Sequence, residues 1–239
     1  MLNNPVISTD SRHSRYDCNQ CTFRELSCRH IAPEEFELVR RTSQQLLYKK
    51  GETILKQGAK ASNLVYLHKG IVKFSFENEG GKSVILTIVT GPILLGGANL
   101  FFKETNLFSL IALEECEACL IDSKAMKKLL MNSGKYAIMM FEESTEMFKS
   151  AIFNFISLAH KQVHGRIADI ILYLASQVYK SNKFTISFTK KEISEFAACS
   201  HENVITTLSK MSKEGIISFE GQVLEIKDLK KLIEISKHG

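Results

Sequence analysis

From Leu46 to Asp122 the apolar positions come in short runs punctuated by Gly51, Gly58, Gly70, Gly80-Gly81, Gly91 and Gly96-Gly97. That pattern predicts many short strands joined by glycine turns, a sandwich or barrel. Ahead of it, Pro33-Glu34-Glu35 open a helix that carries Phe36, Leu38 and Val39. Behind it, helical spacing returns over Ser123 to Met131 and dominates from about Lys135 to His160. Within that long helix Phe141, Thr145, Phe148, Ile152, Phe155 and Ala159 alternate steps of four and three, which is a heptad seam. Such a helix could pack on its own β domain. The recurrence of Phe at one heptad position favours a homodimer, because a partner helix would fill that stripe. A second amphipathic helix follows, with Val163, Ile167, Ile170, Ile171, Leu174 and Val178, so the domain boundary falls near His160.

The last third reads as a winged helix-turn-helix. Lys190 to Ala198 is a short helix with Ile193, Phe196 and Ala197 on one face, broken by Cys199-Ser200. Ser200 is a good N-cap for a helix over His201 to Lys213, whose apolar face is Val204, Leu208 and Met211, and Gly215 closes it. Ile216 to Phe219, a Glu220-Gly221 turn and Gln222 to Ile226 form the wing hairpin. Burying Val204, Leu208 and Met211 leaves His201, Glu202, Ile205, Thr206 and Ser209 facing outward. These can read base edges: Glu accepts from a cytosine amino group, Thr or His hydrogen-bonds, and Ile meets a thymine methyl. Lys190, Lys191, Lys210 and Lys213 stand where phosphates would lie and position without specifying. The competing use of such a hairpin is a protein contact.

Length and charge fit this picture without demanding it. The 239 residues suffice for two domains, 44% hydrophobic content can build cores, and a net charge of +5 permits nucleic acid as a partner. Met1 to Asp17 is polar and lacks a secretory pattern, so a cytoplasmic location is expected. Val84 to Phe102 carries no charge, but Gly91-Pro92 and Gly96-Gly97 would break a membrane helix twice, and Val84 to Val89 is strand-like. No membrane partner is expected.

The cysteines carry the remaining chemistry. Cys18, Cys21 and Cys28 crowd a short polar stretch, and Cys116-Glu117-Ala118-Cys119 is a second C-x-x-C. Four thiolates can hold an iron–sulfur cluster, two C-x-x-C pairs can hold zinc, and any of them can serve a thiol or disulfide switch. Residues three apart in a strand point to opposite faces, so only one of Cys116 and Cys119 can face the leader. Cys199 reads as a small buried hydrophobe. No thioredoxin-like βαβ pattern surrounds either pair, so an enzyme is not expected. Among His13, His30, His68, His160, His164, His201 and His238 only His160 and His164 have helical ligand spacing, and they read as solvated polar residues at the hinge.

This order of parts resembles the CRP/FNR family of bacterial transcription regulators. The likeness is carried by Lys50-Gly51-Glu52-Thr53-Ile54-Leu55 with Gln57-Gly58, by Leu67-His68-Lys69-Gly70-Ile71-Val72-Lys73, and by Cys199-Ser200-His201-Glu202-Asn203-Val204. It implies an α+β fold: an N-terminal β-roll (a cyclic-nucleotide-binding-like jelly roll), a long dimerisation helix and a C-terminal winged helix-turn-helix. The corresponding segments are a Cys-rich leader (1–32), the roll (33–134), the dimer helix (135–160) and the DNA-binding domain (161–239). The partners it implies are double-stranded DNA with a palindromic operator, a second copy of the chain, and RNA polymerase.

Within the family the cysteine-rich leader resembles the FNR branch, whose members sense oxygen through a [4Fe–4S] cluster. The resemblance assigns Cys18, Cys21, Cys28 and Cys119 as ligands, with Cys116 the alternative to Cys119 and zinc or no metal the alternative to the cluster. The gap from Cys21 to Cys28 is one residue longer than the FNR pattern. An intact cluster would tie the leader to the roll, and its oxidation or nitrosylation would shift the population away from the DNA-binding form. The cyclic-nucleotide branch carries Gly-Glu-Leu and Arg-Ser, where this chain has Gly96-Gly97-Ala98 and Leu107-Phe108. A cyclic phosphate would lack its cation there, so no cyclic nucleotide is expected. Another small-molecule effector in the roll, or an electron carrier, are lesser alternatives. Two more departures matter. Phe153 occupies the place of an acidic residue of FNR-type dimer helices, which lessens any dependence of dimerisation on oxygen. The family's E-x-x-S-R becomes Glu202-Asn203-Val204-Ile205-Thr206, and losing that Arg removes about 1–3 kcal/mol of discrimination at one base pair.

Overall fold

A computed structural model describes residues 18, 21–29, 31–97 and 105–239. The leader up to residue 17 and Ala98 lie outside the described residues. Helix α1 (Pro33–Arg41) starts at the predicted proline and buries Phe36 and Val39, while Leu38 points to solvent. Eight strands follow among the described residues: β1 (Ser43–Tyr48), β2 (Thr53–Leu55), β3 (Asn63–Lys69), β4 (Ile71–Glu77), β5 (Ser83–Thr90), β6 (Ile93–Leu95), β7 (Ser109–Ala112) and β8 (Cys116–Asp122). The uncharged stretch from Val84 is thus strand β5, a turn and β6, and no described helix is long and apolar enough to cross a membrane.

The strands form two four-stranded antiparallel sheets, ordered β1-β8-β3-β6 and β2-β7-β4-β5. Their inner faces meet in one apolar core, with Val65, Leu67, Leu95, Cys116 and Ala118 from the first and Ile54, Val72, Leu110 and Ala112 from the second. Period-two alternation sends the other residues outward. On β3, Val65 and Leu67 face inward while Leu64 and Tyr66 join a second core outside the sheet. Both faces of this strand are therefore covered, and its sequence reads as a nearly unbroken apolar run.

That second core is closed by α1, by α2 (Ser123–Asn132) and by the start of α3 (Gly134–His160), through Phe36, Val39, Met126, Leu129, Tyr136 and Met140. Asp122 caps α2 by accepting from the Ala125 amide at 2.8 Å. At the β3–β4 turn Gly70 has φ +104°, and a Cβ there would lie 2.6 Å from the Cys116 sulfur. Only glycine fits such a turn against such a neighbour.

The C-terminal part begins with α4 (Val163–Tyr173), continued by one π-helical turn (Leu174–Val178), and holds α5 (Lys190–Ala197) and α6 (His201–Lys213). Thr189 and Glu192 close a capping box on α5, Ala198 turns the chain in the left-handed region, and the Ser200 hydroxyl accepts from the Asn203 amide to start α6. The wing strands are β10 (Ile217–Glu220) and β11 (Val223–Ile226). Two further elements go beyond the sequence pattern: β9 (Lys183–Thr185), which pairs with β11, and α7 (Leu229–His238), which packs on α4. At the junction of α3 and α4, the Asp169 carboxylate accepts from Ser157, Lys161 and Ser236 together. The core of this part also takes in Ile71, Ile85, Ile88 and Leu113 from the roll, so the outer face of the second sheet is buried under it.

Candidate sensor and nucleic-acid surfaces

Strand β8 decides which of its two cysteines meets the leader. Cys116, Ala118 and Leu120 point into the roll, whereas Cys119 and Ile121 join the outer core. Cys116 donates weak hydrogen bonds to the Ile71 and Glu114 carbonyls, each at 3.4 Å, and burial pushes its thiol up to about 11. Cys119 shares a narrow cavity with Cys18, Cys21, Phe23, Phe36 and Val39.

The leader is fastened to the strands on both sides of Cys119. Its cross-strand neighbours are Gln45 on β1 and Tyr66 on β3. The Gln45 amide reaches the Cys18 sulfur at 3.5 Å, and the Tyr66 hydroxyl donates to Thr22 at 3.1 Å. Phe23, which opens a single π-helical turn (Phe23–Ser27), stacks obliquely on Tyr66 with ring centres 4.8 Å apart. The Arg24 guanidinium lies 4.9 Å over the Phe36 ring. Cys28 is buried in the same core as Tyr136 on α3, whose hydroxyl donates to the Met126 sulfur at 3.5 Å.

No disulfide joins any two of the six cysteines. Burial is the main force on these groups: it pushes Cys28 and Cys119 up to about 12 and raises Cys21. Nearby thiols oppose one another's ionisation, Cys18 acting on Cys21, Cys21 on Cys28, and both Cys21 and Cys18 on Cys119. A cation bound among them would reverse that balance and draw out thiolates. The donor set therefore fits a thiolate-ligated centre in its chemistry. Among the described residues no three His, Cys, Asp or Glu side chains converge closely enough to hold a metal ion, so binding one requires the leader to tighten onto β8.

The second surface is α6. Val204, Leu208 and Met211 are buried as its spacing predicts, and His201, Glu202, Ile205, Thr206 and Ser209 lie along the other side. Lys190 and Lys191 in the first turn of α5, with Lys210 and Lys213 late in α6, are exposed as well. Cys199 sits half-buried between the two helices and packs against the core, with burial raising its thiol.

The third surface is α3. Its seam residues face solvent in the single chain: Phe141 is 74%, Phe148 66% and Phe155 71% exposed, and Thr145, Ile152 and Ala159 are exposed too. Ile138 continues the seam one step toward the start of the helix, and Phe153, Ile156 and Leu158 widen the stripe beyond the strict heptad. In the roll, Leu107 and Phe108 are half-buried apolar side chains, and the space next to Gly97 is bounded by Met140 at 3.4 Å.

Comparison with known proteins places both halves. Residues 45–133 match the cyclic nucleotide-binding domain model, and residues 165–235 match the Crp-like helix-turn-helix domain model. The chain is 28% identical over 184 residues to the cAMP-activated global transcriptional regulator CRP of Pasteurella multocida, covering 75% of this chain and 88% of that one. In structure it is similar to FixK2 from Bradyrhizobium japonicum, with a TM-score of 0.74 at 16% identity over 81% of this chain and 96% of that one. It is also similar to a crp/fnr-family transcriptional regulator structure from Eubacterium rectale, with a TM-score of 0.73 at 16% identity over 88% and 97% of the two chains.

Proposed function

Because the chain belongs to the CRP/FNR family of DNA-binding transcription regulators, we propose that it acts as a homodimer reading a palindromic operator and answering to oxygen, nitric oxide or another oxidant. In this reading Cys18, Cys21, Cys28 and Cys119 hold a [4Fe–4S] cluster. The observation that carries it is the sharing of one cavity by Cys18, Cys21 and Cys119, with Cys28 buried in the same core. The relative from Pasteurella multocida is described as cAMP-activated. The anchors such a ligand requires are replaced here by apolar residues, Leu107 and Phe108 among them, and that favours the cysteines as the sensor.

When bound, the cluster supplies an oxidant-sensitive centre. The protein supplies the coupling. Cys119 and its neighbours Gln45 and Tyr66 anchor the leader to the roll, and Cys28 reaches Tyr136 at the head of α3. Tightening or loosening the leader thus bears on the helix whose far face forms the dimer seam, and through it on the spacing of two α6 helices. RNA polymerase is the partner through which such a regulator acts.

The decisive experiment is anaerobic purification with iron, acid-labile sulfide and zinc analysis, and a visible spectrum before and after air. About four iron and four sulfide per chain, bleaching in air, is the expected result. Stoichiometric zinc, or thiols alone, overturns the cluster and moves the signal to metal occupancy or disulfide formation.

The DNA-facing residues separate by class. Glu202→Ala is expected to relax preference at one base pair of each half-site by about 1–3 kcal/mol. Lys213→Ala is expected to weaken all sequences alike and to lower the slope of log affinity against log salt by about 0.9 for each phosphate the lysine neutralises. Selection from a random duplex library, followed by salt titration, measures both.

A further inference from the structure

The apolar contact between the roll and the reading domain, made by Ile71, Ile85 and Ile88 with the core around Phe196, has no directional preference. Packing of that kind can reform after a small slide. One polar contact in the same interface cannot. Lys73 points out of β4 on the face of Ile71 and is only 9% exposed. Its ammonium lies 2.8 Å from the Glu192 carboxylate and 3.8 Å from that of Glu195, both on α5 and both largely buried. The other Glu192 oxygen accepts from the Thr189 amide at 2.8 Å and closes the capping box of α5. Burial opposes ionisation of Glu192, but hydrogen bonds from Lys73 and Thr189 together with the Lys73 charge hold its carboxyl below the usual range. A second polar tie runs alongside, as the Tyr173 hydroxyl on α4 donates to the Ile88 carbonyl at 2.7 Å.

We propose that Lys73 is a positioning residue for DNA binding: its ion pair with α5 fixes the angle at which the roll presents α6. Swinging α5 away from β4 would part the Lys73 ammonium from both carboxylates, leaving Lys73 and Glu195 without their counter-charge and Glu192 with only its hydrogen bonds from Thr189. That is far costlier than re-laying apolar side chains, so the pair selects one register. The register it selects leaves the outward side of α6 free, with His201, Glu202, Ile205 and Thr206 exposed there. This inference rests on α6 being the DNA-reading helix, independently of what the cysteines bind.

The test uses the full chain, with a duplex recovered by selection with the wild-type protein, and reads affinity by fluorescence anisotropy. Lys73→Met is expected to weaken binding about tenfold, within the range of typical coupling between sites. Lys73→Arg, which keeps the charge, is expected to restore most of it. Glu192→Gln carries the test if Lys73→Met fails to fold, since Gln still serves a capping box; it should lose as much as Lys73→Met, and the double variant no more than either. Sedimentation should show an unchanged dimer. Unchanged or tighter binding in the charge-removing variants, or strictly additive losses, overturns the proposal. If Glu202→Ala leaves base preference untouched, the fault lies in the assignment of α6 instead.

Discussion

In Cys119→Ala, iron bound after anaerobic purification is expected to fall from the proposed four atoms or so per chain to near none, while Cys116→Ala is expected to keep its iron. The two residues are three apart on one strand, so composition and spacing treat them alike. Their environments differ completely. Cys116 is sealed in the roll between the sheets, under Gly70, with its sulfur on the Ile71 and Glu114 carbonyls. Truncating it removes one buried sulfur and costs stability, on the order of 1–2 kcal/mol, without touching the leader. Cys119 faces Cys18 and Cys21 across a shared cavity. Without it, the leader cysteines have no ligand on the roll to close against, and the air-bleachable absorbance should vanish with the iron. Loss of iron in Cys116→Ala at wild-type stability, with retention in Cys119→Ala, would reverse the assignment.

Phe148→Glu is expected to turn the dimer into a monomer at micromolar concentration and to cut affinity for the palindromic duplex by two orders of magnitude or more. Phe148 is 66% exposed in the single chain and stands between Phe141 and Phe155 at seven-residue intervals. Burying one Phe contributes about 1.5–3 kcal/mol, and two-fold symmetry counts each substitution twice. The loss is then roughly 3–6 kcal/mol, or about 10²–10⁴ in the dimer constant, before repulsion between the two introduced charges. Analytical ultracentrifugation reads the assembly. A variant that stays dimeric would mean that the exposed stripe of α3 has another occupant. DNA binding follows because a monomer engages one half-site only.

Much of this is legible in the residues, and the parts that are not share a cause. Helix α6 can be read because Val204, Leu208 and Met211 follow a local period, and the two faces of β8 because alternation is strictly local. The wing strand β9 is hidden because its three residues are too short for a period. Its signal is Phe184, Ile186 and Phe188 alternating inward. Helix α7 has an N-cap in Asp228 and an apolar Leu232 at helical spacing from Leu229, but it follows a hairpin that already completes the motif. The strand signal also begins later than the sheet, since Ser43, Gln44 and Gln45 are polar yet pair with β8. Lys73 and Glu192 lie 119 positions apart, and their pairing is a product of domain packing that no local pattern encodes. The extra breadth of the α3 stripe, with Phe153 and Ile156 outside the heptad positions, likewise becomes visible only once the roll has claimed Tyr136 and Met140.

Since Ile71, Ile85, Ile88 and Leu113 of the roll lie in the same core as the reading domain, the two halves are not interchangeable cassettes. A chimaera that joins this roll to another regulator's reading domain at His160 would inherit an apolar sheet face cut to a different partner, and a chain truncated there would carry that face into water. Engineering a new operator preference into this protein is therefore better done by exchanging the outward residues of α6 than by transplanting the domain that bears them.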